Sequence, residues 1–185
     1  MIVYWEEAGP QNTDATITAA LTAAKEKGIS YIVVASTSGD TALKLAEQAA
    51  GQQVVCVSHA YGTSEPGVNE MAKEARDRLR NIGVEVYAAA HVLSGAERAI
   101  SRRFSGAYPV EIVAHSLRML GQGVKVCVEI SIMALDGGFI PYGKDIVVVA
   151  GSGKGADTAV IIRPAHAINL FDTYIKEIIC KPLHA

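Results

Sequence analysis

An α/β domain with a mostly parallel sheet, covered by helices on two sides, is the fold this chain predicts. Two observations lead there. Five short runs are mostly apolar and rich in β-branched residues, the pattern of strands buried on both faces. Most of them alternate with segments whose apolar residues recur at helical spacing. Half of the 185 residues are apolar, enough for one sizeable core, so residues 1–185 read as a single domain.

The strand runs are Ser30 to Ala35, Val54 to Ser58, Val84 to Ala88, Ile146 to Ala150 and Thr158 to Arg163. Ile2 to Tyr4 could add a short edge strand, and residues 172–179 leave strand and helix both open. Between the strands, Ile17, Ala20, Leu21 and Ala24 give Thr13 to Lys27 one apolar stripe, and Gly28 ends that helix. A second helix is expected from Thr41 to Ala50, and a third from Val68 to Ile82 with Gly83 as its stop. The alternation then breaks. Residues 94–138 hold three helical pieces in a row and read as a helical insertion within the domain. Ser94 and Glu97 match the capping box S-x-x-E, Pro109 suits a first helical turn, and the apolar run Val124 to Leu135 favours helix over strand.

Charge excludes some roles. With 17 basic against 19 acidic residues, nothing attracts nucleic acid. The three cysteines are dispersed and form no CxxC pair, which argues against a disulfide framework or a metal site. The N-terminus has no signal-like segment, and no apolar run reaches the roughly 18 residues of a membrane span. A cytoplasmic protein without membrane contact is expected.

Four loops follow strands and carry the candidate chemistry. Ser36-Thr37-Ser38-Gly39-Asp40-Thr41 enters a helix, where unpaired amides and the helix dipole favour an anion. Asp40 opposes a phosphate if its carboxylate points inward. Gly151-Ser152-Gly153-Lys154-Gly155-Ala156-Asp157-Thr158 fails the phosphate-loop motif, because Gly155 stands where Ser or Thr must follow the Lys. It also fails the dinucleotide fingerprint, because a strand follows it rather than a helix. Its glycines still let amides close on an anion, with Lys154 and Thr158 beside them and Asp157 bracing the turn. The other two loops place His59 and His91 just past strand ends, the latter followed by Ser94 and Gly95. Arg102, on the helix after Ser94, has the guanidinium that clamps phosphate or stacks on a ring. Glu111 with His115, and Lys125 with Glu129, are spaced i, i+4 and read as internal pairings.

YIVVASTSGDTALKLA and DIVVVAGSGKGADTAVIIRP resemble the two effector-binding stretches of the pyruvate kinase C-terminal domain. Ser58–Gly62, His91–Gly95, Arg103–Ile112, Leu117–Ile130 and Gly155–Ala159 resemble the motifs of a stand-alone family of small archaeal and bacterial proteins with that fold. The resemblance implies a three-layer α/β/α sandwich with a five-stranded mixed sheet. It implies a phosphorylated ligand of the flavin mononucleotide (FMN) kind, or another phosphorylated nucleotide, with no metal. Kinase activity does not carry over, since the catalytic barrel has no counterpart in these residues. A binding module with a regulatory or carrier role leads; a flavin-dependent oxidoreductase and an effector-sensing subunit acting through a protein partner are the alternatives. A homo-oligomer is expected from the apolar run Val124 to Leu135 and the apolar C-terminus.

Overall fold

The computed structural model describes residues 2–184. Along the chain run β1 (Val3–Trp5), α1 (Thr13–Glu26), β2 (Tyr31–Ala35), α2 (Asp40–Gln48), β3 (Gln53–Ser58), α3 (Lys73–Asn81) and β4 (Glu85–Ala88). Three helices follow, α4 (Gly95–Phe104), α5 (Pro109–Arg118) and α6 (Gln122–Asp136), then β5 (Ile146–Ala150), β6 (Thr158–Arg163) and β7 (Tyr174–Pro182).

One sheet of seven strands results, in the order β1-β7-β6-β5-β2-β3-β4. The five-strand expectation falls short by two strands, the edge strand β1 and β7, which lies between β1 and β6. β1 is too short to show a period, and the first half of β7 is only partly buried. β6 is antiparallel to both its neighbours, and the remaining pairings are parallel, so β6 alone runs against the rest.

Two cores lie on the two faces of the sheet. α1, α2 and α3 bury Ile17, Ala20, Leu45 and Leu79 against Ile32, Val34, Val147 and Val149. On the other face α6 buries Cys127, Ile132, Met133 and Ala134 against Val33, Val55, Val148 and Val160. The alternation of inward and outward residues along β2 thus feeds both layers, as the strand period requires. The block 94–138, expected as an insertion, supplies most of the second layer: α6 lies on the sheet and α5 packs on α6. The apolar run that favoured an oligomer is therefore consumed inside the molecule. Apolar side chains left in solvent stand elsewhere, among them Phe104, Met119, Ile168 and Phe171.

Local departures from the sequence reading have identifiable causes. The third helix begins at Lys73 rather than Val68. There the Asn69 carboxamide accepts the Met71 N–H (2.9 Å) and donates to the His59 carbonyl (2.9 Å), which holds the segment extended against the His59 loop. Ser94 does precede α4, but its side chain caps nothing. Glu97 instead accepts the Glu111 N–H at 2.8 Å and ties α4 to α5. Glu111 pairs with the Ser101 hydroxyl (2.6 Å) rather than with His115.

Candidate functional site

β2 is flanked by β3 on one side and β5 on the other, all parallel. The chain leaves β2 through α2 on one face and returns to β5 through α6 on the other. The strand order therefore switches between β2 and β5, and crevices at the carboxyl ends of such switch points are where open α/β sheets bind ligands. A cleft of about 790 Å³ opens there. The two loops singled out above form its opposing walls: Ser36, Thr37, Ser38 and Thr41 on one side, Gly151, Ser152, Gly153, Lys154 and Gly155 on the other.

Three helices begin at this cleft. Thr13 of α1, Asp40 and Thr41 of α2, and Gln122 of α6 all line it. Each helix start carries about half a positive charge. Sequence reasoning found only the α2 start. Thr13 and the Gly-rich loop lie 143 residues apart, yet the Thr13 hydroxyl accepts the Ala156 N–H at 3.0 Å.

The polar groups of the walls divide into used and free. Ser36 is buried; its hydroxyl oxygen accepts the Gly39 N–H (3.1 Å), which leaves its own proton to donate. The Ser38 hydroxyl donates to the Asp40 carboxylate at 2.8 Å. Thr41 is only 7% exposed, and its hydroxyl has no partner among the described residues. The amides of Gly153, Lys154 and Gly155 likewise find no acceptor among the described residues, whereas those of Ser152, Ala156 and Asp157 are bonded. Three successive free amides on one wall and a free hydroxyl on the other favour an anion.

Asp157 and Thr158 brace the loop rather than face the cleft. Asp157 is fully buried and accepts from the amides of Gly9 and Ser152, both at 3.1 Å, and from the Thr158 hydroxyl at 2.8 Å. Thr158, expected as a ligand donor, spends its hydroxyl there and packs against Gly123 of α6. Gly39 sits behind the wall with positive φ at the start of α2.

The two histidines part company. His59 lines the large cleft, its Nδ1 hydrogen-bonded to Glu70, which lines it too. His91, Ser94 and Gly95 line a separate cavity of about 370 Å³ with Tyr87, Met133 and Asp136. The imidazoles still meet, with ring centres 5.4 Å apart. Arg102 is exposed and borders neither cavity, because it lies on the outer side of α4.

Behind His91 lies a buried ion pair that the i, i+4 spacing foretold. Lys125 Nζ donates to Glu129 at 2.5 Å, with side chains 5% and 4% exposed. The other Glu129 oxygen accepts the Leu93 N–H at 3.0 Å, and His91 Nδ1 stands 4.0 Å from the carboxylate. Burial lowers the Lys125 pKa, and the Glu129 carboxylate opposes that shift. Burial likewise holds His91 below its ordinary 6.5; Glu129 pulls upward, while His59, Lys125 and Arg98 push down. The unfolded chain therefore binds a proton at His91 more readily than the native state does. The His91 contribution to stability is complete above pH 6.5 and is lost as pH falls through the native value. Denaturant melts at a series of pH values should show that decline, and His91→Gln should flatten it.

All three cysteines are buried as free thiols, and burial pushes Cys56 up to about 12 and Cys180 to about 11, with Cys127 shifted the same way. Among the described residues no group of three His, Cys, Asp or Glu side chains is arranged to hold a metal ion. None of the described helices is long and apolar enough to cross a membrane.

A family profile described as "Pyruvate kinase, alpha/beta domain" matches residues 14–162. The chain belongs to the pyruvate kinase alpha/beta domain family. That match runs from the second residue of α1 to the penultimate residue of β6 and takes in both walls of the cleft. Solved structures similar to this chain include pyruvate kinase from Cryptosporidium parvum in complex with ADP, with 16% identity over 83% of this chain and a TM-score of 0.44. Two further pyruvate kinase structures from the same organism share 15% identity over 83% of this chain, with TM-scores of 0.43 and 0.42. The chain spans 24%, 23% and 22% of the length of those three enzymes.

Proposed function

We propose that the cleft between the Ser36–Thr41 and Gly151–Gly155 loops binds a phosphorylated small molecule of the FMN kind, in a regulatory or carrier role. One observation carries this reading: the unpartnered Thr41 hydroxyl and three free amides line one cleft where three helices begin. An anion there gains hydrogen bonds from donors that have none, in the field of three helix ends. The volume, about 790 Å³, falls in the range of roughly 300–1,000 Å³ usual for small-molecule sites and far exceeds a lone phosphate. The regulatory role follows the resemblance of both walls to the effector loops of pyruvate kinases. A homo-oligomer stays within the proposal, resting now on exposed Phe104, Met119, Ile168 and Phe171.

A flavin-dependent oxidoreductase is the second reading, favoured by His59 in the cleft wall with Glu70 holding its Nδ1. Native mass spectrometry of protein purified without added ligand, with its visible absorption spectrum, tests the first reading. Added mass equal to FMN and a flavin absorbance are expected. Bare mass, with no uptake of FMN at millimolar concentration, would rule FMN out. Anaerobic reduction of bound flavin by a nicotinamide cofactor at catalytic rates would favour the oxidoreductase over the module.

A further inference from the structure

The two cavities meet at a pair of imidazoles. His59 lines the large cleft and His91 the smaller cavity, with ring centres 5.4 Å apart. Both loops are held by their surroundings. The Asn69 carboxamide donates to the His59 carbonyl at 2.9 Å, and the Ser94 N–H donates to the His91 carbonyl at 3.2 Å. The counter-charges of the two rings differ. His59 Nδ1 is hydrogen-bonded to Glu70, which has no Lys or Arg partner among the described residues. His91 faces Glu129, but both oxygens of that carboxylate are taken, one by Lys125 Nζ at 2.5 Å and the other by the Leu93 N–H at 3.0 Å. His91 Nδ1 stands 4.0 Å from it, beyond hydrogen-bond reach.

We propose that His59 and His91 form a one-proton relay between the two cavities, with the proton resting on His59 beside Glu70 and His91 neutral. Two positive charges at this separation repel in a partly buried site, so the pair takes up its protons one at a time. Glu70 is unspent and Glu129 is cancelled by Lys125, so the first proton belongs on His59. The other charges facing the pair keep that order. Arg98 of α4 adds positive charge on the His91 side. In the smaller cavity Asp136 is bonded to His166 and to the Ala167 N–H, and Glu97 to the Glu111 N–H. In the large cleft Asp40 and Lys154 line the wall with Lys44, whose ammonium is drawn to Asp14 at 2.8 Å. A basic atom in the cleft that takes the His59 proton leaves both rings neutral. His91, whose side chain is 24% exposed, then accepts a proton from solvent and passes it to His59. The net change is one proton moved from the smaller cavity to the cleft, whatever ligand the cleft holds. His59 is the group that meets that ligand, and His91 acts through it.

The experiment is a pH titration of the ligand-free full chain, from about pH 4.5 to 8.5, with the histidine rings followed by long-range ¹H–¹⁵N spectra. His59 should take up its proton at the higher pH of the two. The order of the protons then gives an unequal result. His59→Gln removes the charge that opposes His91 and should raise the His91 midpoint by about one pH unit, tenfold in proton affinity. His91→Gln should move the His59 midpoint by less than about 0.3 unit, because His91 is neutral while His59 titrates. Both imidazoles are partly exposed, so circular dichroism should show both variants folded. An unmoved His91 midpoint in His59→Gln means that the rings titrate independently and overturns the inference. A His59 midpoint that rises by about a unit in His91→Gln puts the resting proton on His91 and overturns it too. Neither result bears on whether the cleft binds a phosphate.

Discussion

Lys125→Met should destabilise the protein by about 3–5 kcal/mol, the cost of leaving one partner of a buried ion pair alone. Met matches the length and apolar stem of Lys, so little packing is lost; what is lost is the charge that Glu129 faces at 2.5 Å. Only the Leu93 N–H, and His91 at 4.0 Å, would remain to that carboxylate. For a domain of this size each kcal/mol moves the melting temperature by roughly 2–4 °C, so a drop of roughly 6–20 °C is expected. Adding Glu129→Gln should recover most of the loss, because the neutral amide keeps an oxygen for Leu93 and needs no counter-charge. A single variant that melts within about 1 kcal/mol of wild type would mean that the pair is solvated in solution.

The second large effect is expected at Gly155, where the loop folds back on the start of α1. Its φ is +70°, and a Cβ built there would lie 2.4 Å from Thr13 Oγ1 and 2.8 Å from Pro10 Cα. A left-handed backbone costs a side chain roughly 1–2 kcal/mol and overpacking roughly 1–3 more. Gly155→Val should therefore lower stability by roughly 2–5 kcal/mol. It should also open the Ala156–Thr13 hydrogen bond and abolish binding in the cleft. Gly153→Ala is the comparison: its added carbon meets nothing within 4 Å, so it carries only the cost of a positive φ (+159°) and should melt above Gly155→Val. Equal melting temperatures for Gly155→Val and Gly153→Ala would contradict the packing described for this loop.

The central parallel strands β2, β3 and β5 were legible because each is a nearly continuous apolar run, and a strand buried on both faces has few polar residues to blur it. The loops at their ends were legible for the same reason, since strand ends fix where loops gather. β1 was harder, with three residues and an exposed edge, and β7 alternates only weakly in its first half. The role of α6 was hidden by its composition: an apolar run reads alike whether it covers its own sheet or a partner. Lys125 and Glu129 within that run were the sign that it lay inside the molecule, because each side chain carries its own counter-charge at i, i+4. Asp157 beside Thr158 gave no local sign that the two bond each other rather than a ligand. The Thr13 contribution joins residues from opposite ends of the chain, which no local pattern records.

The free amides of the Gly-rich loop are the most direct probe of the cleft. Hydrogen exchange of residues 36–42 and 151–158, followed with and without saturating FMN, reports on each wall separately. Both segments should slow on addition of FMN, most of all at Gly153, Lys154 and Gly155, whose amides have no partner among the described residues. Riboflavin, which lacks the phosphate, should leave them unchanged. FMN that binds while both segments exchange at the unliganded rate would place the phosphate outside this cleft and contradict the account.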